Sequence, residues 1–453
     1  MKVSVKHQRS VYPDLELDMS QPPEIFKAML FSLTGVPIER QKVMVKGGLL
    51  KDDWGKLKIK EGATLIMMGS AEAKPLPAFD DEPKEDHKDI DMDEHEEEPA
   101  HGNGLSNLGN TCYMNSTIQC LYSIDELKAA LQMYSSTSTL DPSAALTMEA
   151  KNLFSRLDKS DDSVAPDGFL NALRVKYPQF AQQGAGGMYM QQDAEECYTQ
   201  ILNSMREKLD GGSGEDSHAC VKELFGIDLE TSLKCEETSE ESSEKQTVYT
   251  LKCNISQDVN HLNDGVKLSL VEDREKMSEA LGRMTVFKGN SAITKLPKYL
   301  TVQLVRFLYR RDTQQKAKIL RRVTFPMRMD VFEFGGGDLK QKMQESREVW
   351  EKAEDAKAEA KKTKLEAGAE ESKSNGRSDK FHTGFYDLHA IITHKGRIAD
   401  SGHYVSWVKQ KNGEWLEFDD DRVIPVSEED IGKLTGGGDW HMAYLCIYKS
   451  FDA

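Results

Sequence analysis

A cysteine, a histidine and a carboxylate, each in its own short box, are the residues of this chain that could do covalent chemistry. The first box, Gly104-Leu105-Ser106-Asn107-Leu108-Gly109-Asn110-Thr111-Cys112-Tyr113-Met114-Asn115-Ser116, runs glycine and asparagine straight into a helical stretch with Cys112 at its start. A helix N-terminus offers unpaired N–H groups and the positive end of a dipole, which favours thiolate over thiol. The same N–H groups can hold an oxyanion, and the side-chain amide of Asn107 is an added donor for it. The plain alternative is that Cys112 is a small buried cysteine opening a helix.

The second box, Asp400-Ser401-Gly402-His403-Tyr404-Val405-Ser406-Trp407, puts His403 at the head of an aromatic, β-branched strand. Gly402 permits close backbone approach; a satisfied core histidine is the competing reading. The third box is Trp415-Leu416-Glu417-Phe418-Asp419-Asp420-Asp421-Arg422-Val423. Paired to the His403 strand as a hairpin, it can hold Asp419 against the imidazole, fixing its tautomer and stabilising the imidazolium. A solvated turn residue is the competing reading for Asp420 and the favoured one for Asp421. His389 and His394 are rival bases, yet neither is flanked by glycine or followed by a fitting carboxylate. His441 follows Trp440 at the start of the last strand.

The elements that must position these boxes fall into a domain over 102–450. Its first half reads as helix after Asn110 and over 144–157, 166–175 and 191–209. Its second half reads as strand over 299–307, 386–393, 403–408, 415–418 and 443–448. An insertion over 338–380 interrupts it. Nine basic and nine acidic residues fall within 340–373, without proline, which predicts a solvated helix with pairs such as Glu348 and Lys352. Residues 1–69 read as a separate unit. Val3 and Val5 alternate with polar residues, a helix starts near Pro22-Pro23 with Ile25, Phe26, Met29, Leu30 and Leu33 inward, and strands follow at 42–45 and 64–68 around a Gly47-Gly48 turn. That order describes a β-grasp fold, and the chain as a whole is of the α+β class.

Residues 70–101 join the two. Twelve Asp/Glu and two Lys lie between 80 and 98, which accounts for most of the net charge of −17. With Pro75, Pro77 and Pro83 nearby, this segment reads as a self-repelling linker. The acidic balance argues against a nucleic-acid partner. No run approaches the ~20 apolar residues of a membrane span. Seven cysteines at irregular spacing and a start without a signal-peptide core lead us to expect a reducing cytoplasmic or nuclear setting.

Taken in the order Cys, His, Asp, the boxes resemble those of the ubiquitin-specific proteases, papain-like cysteine peptidases that remove ubiquitin. Gln191-Gln192-Asp193-Ala194-Glu195-Glu196 and Leu296-Pro297-Lys298-Tyr299-Leu300-Thr301-Val302 match as well, so the likeness spans about 102–450. The segment from Gly35 to Gln41 resembles ubiquitin-like domains, and the whole resembles the proteasome-associated branch of the family. The resemblance implies Cys112 as nucleophile, His403 as base and then acid, Asp419 as its orienting partner and Asn107 as oxyanion donor, with Asp420 assisting. It implies Gln191, Asp193 and Tyr404 as contacts for substrate, although Asp193 also reads as a helix cap. Ubiquitin and its conjugates are the implied partners, and the proteasome is implied for residues 1–69. Many family members carry two Cys-x-x-Cys pairs for zinc. Here Cys235 and Cys253 stand alone, which predicts no metal, and the stretch 236–245 between them reads as a loop. Cys120, Cys197, Cys220 and Cys446 read as structural. A catalytically silent ubiquitin-binding adaptor, or a peptidase for another ubiquitin-like modifier, are the alternatives.

Overall fold

The computed structural model describes most of residues 103–451 and, of residues 2–68, chiefly 2–7, 10–17, 41–45, 48–50 and 63–68; 31–40, 51–62, 69–102, 211–220 and 368–382 are the longest stretches outside it. The linker at 70–101, the segment from Gly35 to Arg40, Cys220 and Asp400 therefore lie outside the described residues. Contacts divide the chain into two compact units, Met1–Glu96 and Glu97–Ala453.

The first unit holds β1 (Lys2–His7), β2 (Ser10–Glu16), β3 (Lys42–Val45), β4 (Gly48–Leu49) and β5 (Thr64–Met68) in the order β2-β1-β5-β3-β4. The first and last strands run parallel, Val5 opposite Leu65. Period-two alternation sends Val3, Val5, Val43, Leu65 and Met67 to one face, where helical Phe26 and Leu30 cover them. This is the expected β-grasp arrangement. One detail differs: Gly48 is not a turn residue but begins β4, pairing with Val45. Ile25, Met29 and Leu33 lie outside the described residues.

The second unit opens with helices α1 (Cys112–Tyr122), α2 (Asp125–Met133), α3 (Pro142–Leu157), α4 (Asp167–Lys176), α5 (Ala194–Leu209) and the short α6 (Val221–Phe225). Asp141 and Asp193 cap α3 and α5 by accepting N–H groups of their first turns. The strands that follow are β6 (Ile227–Cys235), β7 (Glu241–Val248), β8 (Leu251–Asn254), β9 (Val271–Ser278), β10 (Arg283–Lys295) and β11 (Tyr299–Val305), with helix α7 (Leu262–Leu270) among them. After these come β12 (Phe307–Arg310), β13 (Gln315–Lys318), β14 (Arg328–Asp330), the long helix α8 (Gly337–Ala367), β15 (Phe385–Ile398), β16 (Ser401–Lys409), β17 (Trp415–Asp419), β18 (Arg422–Val426), helix α9 (Glu428–Gly432) and β19 (Met442–Ser450).

The main sheet runs β18-β17-β16-β15-β19-β11-β8, with β14 on the side of β15. One cluster of buried side chains lies between it and the helices, joining Ile118 and Leu121 of α1 to Ile392, Tyr404 and Leu445. A second joins Ile391, Val405 and Cys446 to α7 and α8. Successive residues of β15 thus face opposite cores, so a sheet buried on both sides reads as a nearly continuous apolar run.

The stretch expected to be a loop at 236–245 is partly strand. Glu241–Val248 pairs antiparallel with β6 at the edge of a separate sheet, β7-β6-β10-β9. Its polarity is that of an edge strand: Glu244 pairs with Arg274 at 2.8 Å and Lys276 at 2.6 Å, both from β9. The charged insertion is helical, but its first turns are anchored. Met343 is fully buried, Arg347 donates to Thr383 O at 2.7 Å and Asp330 at 2.6 Å, and Trp350 packs edge-on to Phe385. Glu348 accepts from Gln344, one turn earlier.

Candidate active site

Cys112 is the first residue of α1, and the ten side chains from Cys112 to Leu121 are all buried. The helical ladder begins at Met114 and Asn115, whose N–H groups reach Thr111 O at 3.0 and 2.9 Å. The N–H of Cys112 itself therefore precedes the ladder and is available to a ligand. No acidic residue occupies the first turn, so nothing there offsets the positive end of the dipole.

The hairpin expected to carry the base forms as β16 and β17, with Ser406 opposite Phe418. Its splayed ends bring His403 Nε2 to 2.5 Å from Asp419 Oδ1. With Nε2 engaged, Nδ1 is the nitrogen left to face the sulfur. Asp419, then Cys112, push the imidazole up to about 10 against the opposing effect of burial, so the ring holds a proton at neutral pH. Asp419 is held below the usual carboxylate range, chiefly by His403. The rivals behave oppositely. Burial is the main reason that His389 and His441 fall to about 4 and His394 to about 3. His389 Nε2 bonds Ser123 Oγ at 2.9 Å, and His441 Nδ1 lies 3.1 Å from Thr393 Oγ1. Cys120, Cys197, Cys253 and Cys446 are likewise opposed as thiolates by burial.

Asn107 sits in the loop before α1. Its Oδ1 accepts from the N–H groups of Gly109 at 2.9 Å and Thr111 at 3.3 Å, which fixes the amide's orientation. Its Nδ2 donates to Asp420 Oδ2 at 2.8 Å, leaving one Nδ2 hydrogen. Asp420 is no solvated turn residue. Its other oxygen accepts from Asn115 Nδ2 at 2.8 Å, and its backbone oxygen accepts from Leu105 N at 2.8 Å. Asp421 backs this contact: a Cβ on Gly104 would lie 2.4 Å from its carbonyl oxygen, so only glycine lets the two segments meet.

Gln191 Nε2 and the backbone N–H of Tyr404 each lie 3.5 Å from Cys112 Sγ. The Tyr404 ring is turned into the core, against His394. Asp193 is the cap of α5, accepting from Glu195 N at 2.7 Å and Glu196 N at 3.2 Å, and it also takes the Tyr444 hydroxyl at 2.8 Å. Sequence reasoning assigned no role to Asn115, although it lies one helical turn beyond Cys112 in the same box. The Tyr404 N–H carries no sequence signal at all.

Among the described residues, His403, Asp419 and Asp420 are close enough together to share a metal ion. Their ligating atoms are already engaged, by one another and by the two asparagine amides. Cys235 and Cys253 belong to different cores, one with Leu233 and Phe287, the other with Leu251 and Val266.

The family model "Ubiquitin carboxyl-terminal hydrolase" matches residues 103–448. The chain belongs to the ubiquitin carboxyl-terminal hydrolases. Residues 2–72 of this hydrolase match the ubiquitin family. It is similar over 99% of its length to "Ubiquitin carboxyl-terminal hydrolase 6" of Arabidopsis thaliana, with 46% identity and 98% of that protein covered. "Ubiquitin carboxyl-terminal hydrolase 14" of Caenorhabditis elegans is 37% identical, with 99% of this chain and 93% of that protein covered. The Schizosaccharomyces pombe "Ubiquitin carboxyl-terminal hydrolase 6" is 35% identical, with 99% of each covered. The hydrolase is therefore a cysteine-type deubiquitinase with an N-terminal ubiquitin-like domain.

Proposed function

We propose that this hydrolase cleaves the bond after the C-terminal glycine of ubiquitin on protein conjugates, with Cys112 as nucleophile and His403 as proton carrier. The observation that carries the assignment is one imidazole pressed between Asp419 and the sulfur at a helix start. A histidine raised to about 10 holds a proton at neutral pH, ready for the leaving amine. The sulfur attacks the glycine carbonyl, and the oxygen takes up the electron pair against the Cys112 N–H and the remaining Asn107 hydrogen. Collapse expels the amine with the proton from His403. Water, giving a proton back to His403, then displaces the sulfur from the thioester. Gln191, beside the sulfur, contributes with Asp193 to the seat of the ubiquitin tail, whereas the Tyr404 ring, buried against His394, is not placed to touch it.

Asp419→Asn tests the proton carrier. Asparagine Oδ1 still accepts from Nε2, so orientation survives and the rate falls by about 10²-fold, the low end for general acid–base catalysis. The lost charge lowers the histidine by about 1–3 units. The alkaline limb of kcat, where His403 must be protonated for the amine to leave, moves down by that amount, and a limb that stays in place removes Asp419 from the role. The pair also links stability to pH. The share from His403 is full below its ordinary ~6.5 and lost as pH rises through about 10. The share from Asp419 is present above its ordinary ~3.9 and lost as pH falls through its depressed value.

Residues 1–69 we assign to docking on the proteasome, in the cytoplasm and nucleus, with stimulation of the hydrolase once docked. The supporting argument is effective concentration: a tethered ubiquitin-like domain keeps the hydrolase near arriving conjugates. Intact-mass labelling with ubiquitin bearing a C-terminal thiol-reactive group checks both parts. Cys112 takes the label, faster with added proteasomes, and deleting residues 1–69 removes the acceleration. Equal rates with and without proteasomes end the stimulation proposal, and co-sedimentation with proteasomes that survives deletion of residues 1–69 ends the docking proposal; no label on the folded chain ends the assignment of Cys112.

A further inference from the structure

His394 is the buried histidine that the chemistry leaves unused. It stands on β15 opposite Tyr404 of β16, with its ring 4.6 Å from that of Tyr404 and edge-on to Phe307 at 5.2 Å. Lys318, the last residue of β13, is buried beside it. The ammonium lies 2.8 Å from His394 Nδ1, 2.8 Å from His394 O and 2.9 Å from Gly396 O.

Those three contacts fix a tautomer. An ammonium has donors and no acceptor, so Nδ1 accepts and the ring hydrogen sits on Nε2. Nε2 has no hydrogen-bond partner among the described residues. A buried N–H left unpaired is costly and calls for an explanation. The atom is aimed at Gly402, the residue before His403: a Cβ there would lie 2.5 Å from Nε2 and 2.2 Å from Lys395 O. Gly402 also takes φ +148°, in the region that favours glycine. The imidazole of His394 is therefore the floor on which the backbone entering His403 rests, and Lys318 sets how that floor is tilted. Burial, then Lys318, His441 and His403, hold the ring far below its ordinary value, so it stays neutral while His403 is charged.

We propose that Lys318 and His394 are positioning residues for His403, holding the backbone at Gly402 where the catalytic imidazole meets Cys112 and Asp419 together. The inference rests on His403 as the proton carrier. A side chain that only fills the core would change stability and leave the proton chemistry alone; a positioning residue changes the chemistry at constant fold.

The test uses the full chain with Lys318→Met, which keeps length and packing but has no donors, and His394→Phe, which keeps a ring without nitrogens. Two readouts are followed: turnover of a fluorogenic ubiquitin C-terminal amide, and alkylation of Cys112 by iodoacetamide against pH. In each folded variant we expect kcat to fall by about 10–100-fold, the range for misplacement of a reacting group by up to ~1 Å. KM should stay within about twofold, and alkylation of Cys112 at neutral pH should slow. A lowered melting temperature with unchanged kcat and an unchanged alkylation curve overturns the proposal. Should neither variant fold, nitrogen NMR of the wild-type histidines decides: His394 remains a neutral Nε2–H tautomer from pH 5 to 9. An Nδ1–H tautomer, or titration within that range, overturns it. Wild-type alkylation at Cys112 as slow as in Asp419→Ala would instead fault the reading of His403, not that of Lys318.

Discussion

Replacing Cys112 with serine removes turnover as completely as replacing it with alanine, by at least about 10⁵-fold for either, the scale on which a nucleophile is lost. For alanine the reason is the missing nucleophile. For serine it is the proton. Asp419, the largest cause that raises His403, stays in place when the sulfur is gone, so the ring is still biased toward the acid form and is a poor acceptor for a second proton. A hydroxyl needs a base at the moment of attack. A sulfur nucleophile does not, since its proton can already rest on the ring. The helix start that favours an anion at position 112 does far less for an alkoxide, whose pKa lies several units higher. Turnover of a ubiquitin C-terminal amide measures the effect, and ubiquitin binding by both variants shows that the fold is kept. A serine variant retaining a hundredth of the activity would mean that Asp419 alone does not keep His403 protonated.

The residues of the three boxes were legible because the chemistry demands unusual neighbours. Gly104 lets two backbones meet, Gly402 admits a ring beneath the chain, and Cys112 follows a run of glycine and asparagine that no ordinary core helix needs. The helices over 144–157 and 191–209 and the strands over 299–307 and 443–448 were legible too, to within a few residues, from period and capping residues; α5 starts at Ala194 because Asp193 caps it. Helices such as α2 and α7 and strands such as β6, β9 and β10 were not, and three further features were hidden as well. The edge strand β7 is polar on both faces, so its pairing with β6 leaves no alternation to read. The anchoring of α8 by Met343, Arg347 and Trp350 is hidden in a stretch whose composition is that of a solvated helix. The place of Asp420 was hidden as well, because a turn aspartate facing water and one accepting two side-chain amides share the same local sequence.

That residue carries the second large effect. Asp420→Asn lowers kcat by about 10²–10³-fold, the usual cost of one oxyanion donor, and does so almost as fully as Asp420→Ala. Each oxygen of the carboxylate accepts from a different amide, Asn107 at 2.8 Å and Asn115 at 2.8 Å. An asparagine there has one acceptor, so its own NH₂ must face one of those NH₂ groups, and Asn107 swings away or Asn115 loses its tie to the loop. Backbone strain cannot explain such a loss. Asp420 has φ +54°, and asparagine tolerates that region as well as aspartate does. Glycine relieves the backbone entirely but supplies no acceptor, so Asp420→Gly should be as slow as the alanine variant while being easier on the turn. A role in charge alone predicts a shifted pH profile in Asp420→Asn; a role in placing Asn107 predicts a lower kcat with both limbs unmoved and KM nearly constant. The pH dependence of kcat separates the two. The second outcome is expected, because Asp419, not Asp420, is the carboxylate that meets the imidazole.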